Sequence, residues 1–150
     1  MNIIQGKDAY AIRKNFLSAF IPYEPIVDYF LADIAKGKKA CEMRIMQNRL
    51  IWEYISVDGW HRCDSYESAI SLLDQIAGEI YVITDGDNGA YAYGLSPIFL
   101  CTPHEAKKLF DTRGLWNFYV FDSTLSWVIA FTDECEAGHP NGVCFTTIRN

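Results

Sequence analysis

The chain has 150 residues, half of them hydrophobic and 15% aromatic. That is enough for one domain with a real core, and too apolar for a disordered polymer. Its 13 Lys+Arg stand against 19 Asp+Glu, a formal net charge of -6, which argues against nucleic acid as the partner.

No apolar run approaches the roughly 18 residues of a membrane-spanning helix. Met1 to Lys7 lacks a basic leader, an apolar core and a small-residue cleavage site, so the expected location is the cytoplasm. A first helix is predicted over Lys7 to Phe20, with Ile12, Phe16 and Phe20 at i, i+4 and i+8. Pro22 and Pro25 close it and open a second helix, Glu24 to Ala35, striped by Ile26, Val27, Phe30, Leu31 and Ile34. Gly37 suits a C-terminal cap, and Lys36, Lys38 and Lys39 suit the negative end of the helix dipole. Residues 40–50 fit either helical or strand periodicity. Leu50 to Val57 reads as a strand ending at Asp58-Gly59, with a helix from Met43 through Tyr54 as the competitor.

Asp64-Ser65-Tyr66-Glu67 has the form of a capping box. The helix it opens should turn Ile70, Leu73 and Ile76 or Ala77 inward and stop at Gly78. Ile80 to Thr84 is a short strand, and Asp85-Gly86-Asp87-Asn88-Gly89 a turn. Tyr91, Tyr93 and Ile98 to Leu100 return as further strands. Thr102-Pro103-His104-Glu105 combines a threonine cap, a proline in the first turn and a glutamate that reaches back, and starts a helix to about Phe110.

The centre of the chain is a hairpin between Leu115 and Glu134, joined at Asp122-Ser123-Thr124. Phe118 and Val120 should face one way, Tyr119 and Phe121 the other. Leu125, Trp127, Ile129 and Phe131 should share a face, with Trp127 a candidate for full burial. A run apolar on both faces belongs in the middle of a sheet. After a loop over Glu136 to Gly142, Val143 to Ile148 is predicted as a last, short edge strand. The expected architecture is a single α+β domain over residues 1–150, with N-terminal helices, a largely antiparallel sheet and helices packed on it.

Five scattered cysteines with no Cys-x-x-Cys pair fit reduced thiols better than a disulfide framework. Cys101, after Pro97-Ile98-Phe99-Leu100, reads as a small buried hydrophobe. Cys135, His139 and Cys144, with His61 and Cys63, are the nearest approach to a zinc set, but their spacing is not that of paired structural ligands. From Asp85, glycine falls at the fifth position and Ser96 at the twelfth, which fails as an EF-hand. Phosphate-loop, dinucleotide, nucleophile-elbow and zinc-protease motifs are missing. No metal, cofactor or catalytic residue is assigned.

Charge is unevenly spread. Residues 1–49 hold eight basic and five acidic side chains, +3, while residues 50–150 hold five basic and fourteen acidic, -9. The bland explanation is solubility. The functional one is steering of a basic partner. Phe118-Tyr119-Val120-Phe121-Asp122, then Leu125-x-Trp127-Val128-Ile129, ending near Asp133-Glu134, resembles the late hairpin of small bacterial immunity proteins. Those are made beside a polymorphic or contact-dependent toxin and neutralise it in the cytoplasm. The likeness covers about twenty residues and implies tight protein binding without enzymatic activity.

The resulting expectation is an acidic surface that covers a basic toxin domain such as a nuclease. Its contact residues are expected in exposed turns: Asp85, Asp87, Asp133, Glu134 and Glu136. The alternatives are a small enzyme or ligand-binding domain using the Asp85–Gly89 loop and a pocket beside the sheet, and a metal-stabilised domain.

Overall fold

The structure is a computed structural model that describes residues 1–31, 61–63, 66–84, 98–113, 118–131 and 144–148. In chain order these form β1 (Asn2–Ile4), α1 (Gly6–Phe20), α2 (Glu24–Phe30), β2 (His61–Cys63), α3 (Tyr66–Leu73), β3 (Ile80–Thr84), β4 (Ile98–Cys101), α4 (Pro103–Arg113), β5 (Phe118–Phe121), β6 (Trp127–Phe131) and β7 (Cys144–Ile148). The fold is α+β. Its strands make one seven-stranded sheet in the order β1-β4-β3-β5-β6-β7-β2, antiparallel throughout from β4 to β2. Contacts group the chain into two units interleaved in sequence: residues 1–3, 57–84 and 99–150 in one, residues 4–56 and 85–98 in the other.

The hairpin occupies the middle of the sheet, as its two-sided hydrophobicity requires. β5 lies between β3 and β6, and all four of its residues are buried. On one face Phe118 and Val120 join Ile80, Val82, Phe99, Cys101, Ile129 and Phe131, and this layer packs on Ala69 and Leu73 of α3 and on Ala106, Leu109 and Phe110 of α4. Phe110 is the hub. Its ring centroid lies 4.7 Å from that of Phe118 and 5.0 Å from that of Phe131. On the opposite face Ile83, Tyr119, Phe121, Val128 and Ala130 are also buried. Tyr81 and Phe121, direct cross-strand partners, stack there at 5.4 Å.

Several boundaries differ from the sequence reading, each for a local reason. α3 ends at Leu73, short of Gly78. The chain tightens into i-to-i+3 bonds, with the amides of Asp74, Gln75 and Ile76 donating to the carbonyls of Ser71, Leu72 and Leu73. The buried positions are Ala69 and Leu73, Ile70 and Ile76 are half-buried, and Ala77 is exposed. Gly78 has φ +92° and turns the chain into β3, a conformation that other residues resist. Helix α4 runs on to Arg113. β7 is not an edge strand, because it pairs with β6 on one side and β2 on the other. The sheet edges are two strands that the periodicity missed, β1 and β2, each only three residues long. Alternation has no room to declare itself in three residues.

In the other unit, α1 buries Ala9, Arg13, Phe16, Leu17 and Phe20. The inward stripe is therefore centred one position beyond Ile12, which is half-buried. α2 buries Val27 and Phe30, with Leu31 just after it. The expectations for residues 32–60, including the ambiguous stretch 40–50, the Gly37 cap and the three lysines, lie outside the described residues.

Candidate acidic interface

The helix that best matches its sequence signature is α4. The backbone N–H of Thr102 donates to Glu105 Oε1 at 3.0 Å, and the backbone N–H of Glu105 donates to Thr102 Oγ1 at 3.2 Å. This is the reciprocal capping box. The second carboxylate oxygen, Oε2, lies 2.8 Å from the Met1 amine. The amine and the Thr102 amide hold the Glu105 carboxyl down at about 2, and Glu105 in turn raises the amine. Next to this cap, burial pushes the Cys101 thiol up to about 11, with the Glu105 charge adding to it. Cys101 is a neutral, buried core residue, as its sequence context implies.

α3 and α4 cover one face of the sheet and turn carboxylates outward. Glu67, Asp74, Glu79 and Asp111 are exposed. Lys107 bridges from α4 to Asp74. Within residues 66–84 and 98–113 five carboxylates stand against two lysines and one arginine. Dividing the whole sequence between the two units sharpens the bias. The sheet unit holds five basic and eleven acidic side chains, -6, and the other unit eight of each, zero. The entire formal charge therefore resides in the sheet unit.

Sequence reasoning placed its candidate contact acids in turns. Asp85 and Asp87 fall in residues 85–90, and Asp133, Glu134 and Glu136 in residues 132–140. All five lie outside the described residues, as does the Asp85–Gly89 loop of the alternative reading. Glu67, Asp74, Glu79 and Asp111 were passed over, although each sits off the apolar stripe of its helix or in the turn after it.

The hairpin turn has a different use for its acid. Asp122 Oδ1 accepts the Thr124 amide at 3.0 Å and also the Thr124 hydroxyl, while Oδ2 accepts Trp127 Nε1 at 2.9 Å. The Leu125 amide closes the turn on the Asp122 carbonyl at 3.1 Å, and Leu125 itself sits at φ +54°. Both oxygens of Asp122 are engaged within the loop. Trp127 starts β6 half-buried, packed against the core layer at its margin, so full burial does not hold.

The zinc set resolves only in part. Residues 135 and 139 lie outside the described residues. Antiparallel pairing does make Cys63 of β2 the direct Cα partner of Cys144 of β7. Among the described residues no group of three or more His, Cys, Asp or Glu side chains is placed to hold a metal ion, and no helix is long and apolar enough to cross a membrane. Comparison with protein-family models, with curated proteins and with solved structures yields no match.

Proposed function

We propose that the protein is a non-enzymatic inhibitor that binds a basic protein, a cognate bacterial toxin domain of the nuclease type, through the acidic helix layer of its sheet unit. The observation that carries this reading is the location of the whole -6 charge in that unit, with Glu67, Glu79 and Asp111 exposed on or beside its helices. A nuclease site is basic because it holds phosphates. An acidic surface can occupy it in the substrate's place and gain association rate by steering. The resemblance of the hairpin to that of small immunity proteins points the same way. It supplies no contact residues, since β5 and β6 are interior.

The test is charge reversal at Glu67, Glu79 and Asp111 together, with Asp133, Glu134 and Glu136 as one further variant and Asp85 with Asp87 as another. The binding partner for the test is a toxin domain encoded immediately upstream, if the neighbouring gene carries one. Association should slow by roughly tenfold or more for the helix-layer variant, and the wild-type rate should fall with salt as the Debye length shrinks from about 8 Å at physiological ionic strength. Folding should be nearly unchanged, within about 0.5 kcal/mol for exposed positions. Wild-type protection and binding rates in all three variants would sink the acidic-surface reading, and an upstream gene with no toxin domain would sink the inhibitor reading.

A further inference from the structure

Two cysteines that lie 81 positions apart in sequence meet across one ladder. In the antiparallel pairing of β2 with β7, His61 is opposite Thr146, Arg62 opposite Phe145 and Cys63 opposite Cys144. Direct Cα partners share a sheet face and stand about 4.5 or 5.5 Å apart, according to their place in the hydrogen-bonding pattern. Both spacings fall inside the window of roughly 4.4–6.8 Å across which disulfides form. Among the described strands β2 is last in the order, beside β7. From the register we propose that Cys63 and Cys144 are a cross-strand dithiol, reduced at rest, that peroxide converts reversibly to a disulfide tying the edge strand to its neighbour.

The chemistry balances with hydrogen peroxide as the oxidant. One thiolate attacks the peroxide O–O bond, giving a sulfenic acid and releasing hydroxide. The second thiol attacks that sulfenic sulfur, the S–S bond forms, and the sulfenic oxygen leaves as water. Two thiols and one peroxide thus give one disulfide and two waters, with two electrons passing from sulfur to oxygen.

The tie would also fasten the start of α3, which begins three residues after Cys63. Cys101 provides an internal contrast. It is 2% exposed, and a thiol so buried and so weakly acidic should resist the same oxidant. The proposal does not depend on the inhibitor reading.

The experiment is peroxide treatment of the purified full chain, trapping of residual thiols by alkylation, and cleavage after glutamate. That cleavage puts Cys63 in residues 54–67 and Cys144 in residues 137–150, each as the segment's single cysteine. The expected product is those two segments joined, with a mass two hydrogens lower than their sum, restored by dithiothreitol. Oxidised wild type should melt at a higher temperature than reduced. Cys63→Ser and Cys144→Ser should each abolish the linked product, and Cys101→Ser should leave it. Because the mapping is made on wild type, a variant that fails to fold does not obscure the result. Linkage of either cysteine to Cys41, Cys101 or Cys135 instead, full alkylation of both after peroxide, or one zinc per purified chain released only when these thiols are blocked would each overturn the proposal.

Discussion

The two units of the chain handle charge in opposite ways. The unit containing α1 and α2 is neutral in sum, with eight basic and eight acidic side chains, yet it buries a guanidinium, Arg13, at 0% exposure. The sheet unit carries -6, and among its described residues every buried side chain is uncharged. Buried charge is costly and belongs to the architecture. Surface charge governs association and solubility rather than fold. The lesson is that net charge alone would have misplaced the electrostatic interest of this chain. Among the described residues the sheet unit buries no charged side chain, and Glu67, Asp74, Glu79 and Asp111 are exposed.

The strongest test of that division is a break in the uncharged core. Phe110→Ala removes the ring shared by Phe118 and Phe131 and should cost about 3–5 kcal/mol. Urea unfolding followed by aromatic fluorescence and by circular dichroism measures it. Coincident transitions would show that the units unfold together, and separated ones that each is stable by itself. A loss below about 1 kcal/mol would mean that Phe110 is not the hub of this layer.

At the margin of the same core a smaller effect is expected. Trp127→Phe keeps most of the ring but deletes the donor to Asp122. The site is half-buried, so the cost should be about 1 kcal/mol, read from the denaturation midpoint at unchanged slope. The companion variant Asp122→Asn retains an acceptor and should cost less than Asp122→Ala.

The smallest effect concerns pH. Glu105 has its folded carboxyl lowered from 4.5 to about 2. Its contribution is complete above about 4.5 and is lost as pH falls from there toward 2. The Met1 amine is raised from 8.0, so its contribution is complete below 8 and is lost as pH rises through the higher folded value. Glu105→Gln should flatten both limbs of the stability profile around α4, and an unaltered acid limb would count against the pair.

Much of the sheet's centre was legible in the residues. Alternation at Phe118 to Phe121 and at Trp127 to Phe131 gave the faces correctly, because four or five consecutive strand residues suffice to show a period of two. Thr102 and Glu105 announced α4 through the chemistry of two side chains. β1 and β2 were illegible since three residues carry no period, and β7 was misread as an edge since sequence order says nothing of which strand arrives beside it. The same ignorance hid the proximity of Cys63 to Cys144, which only a long-range register can reveal. The acids placed in turns, Asp85, Asp87, Asp133, Glu134 and Glu136, lie outside the described residues, while the exposure of Glu67 and Asp111 follows from their place off the apolar stripe of their helices.

The pairing of β2 with β7 also sets a timetable. His61 meets Thr146 across the ladder, so during synthesis β2 leaves the ribosome with its partner still untranslated. At about 5–20 residues per second the missing strand arrives roughly 4 to 17 seconds later, long compared with the microseconds in which helices and hairpins form. For that interval β2, immediately ahead of α3, waits for the strand with which it pairs. Contacts of this sequence separation also slow folding in the intact chain, and β2 is the last piece of the sheet that its own partner can secure.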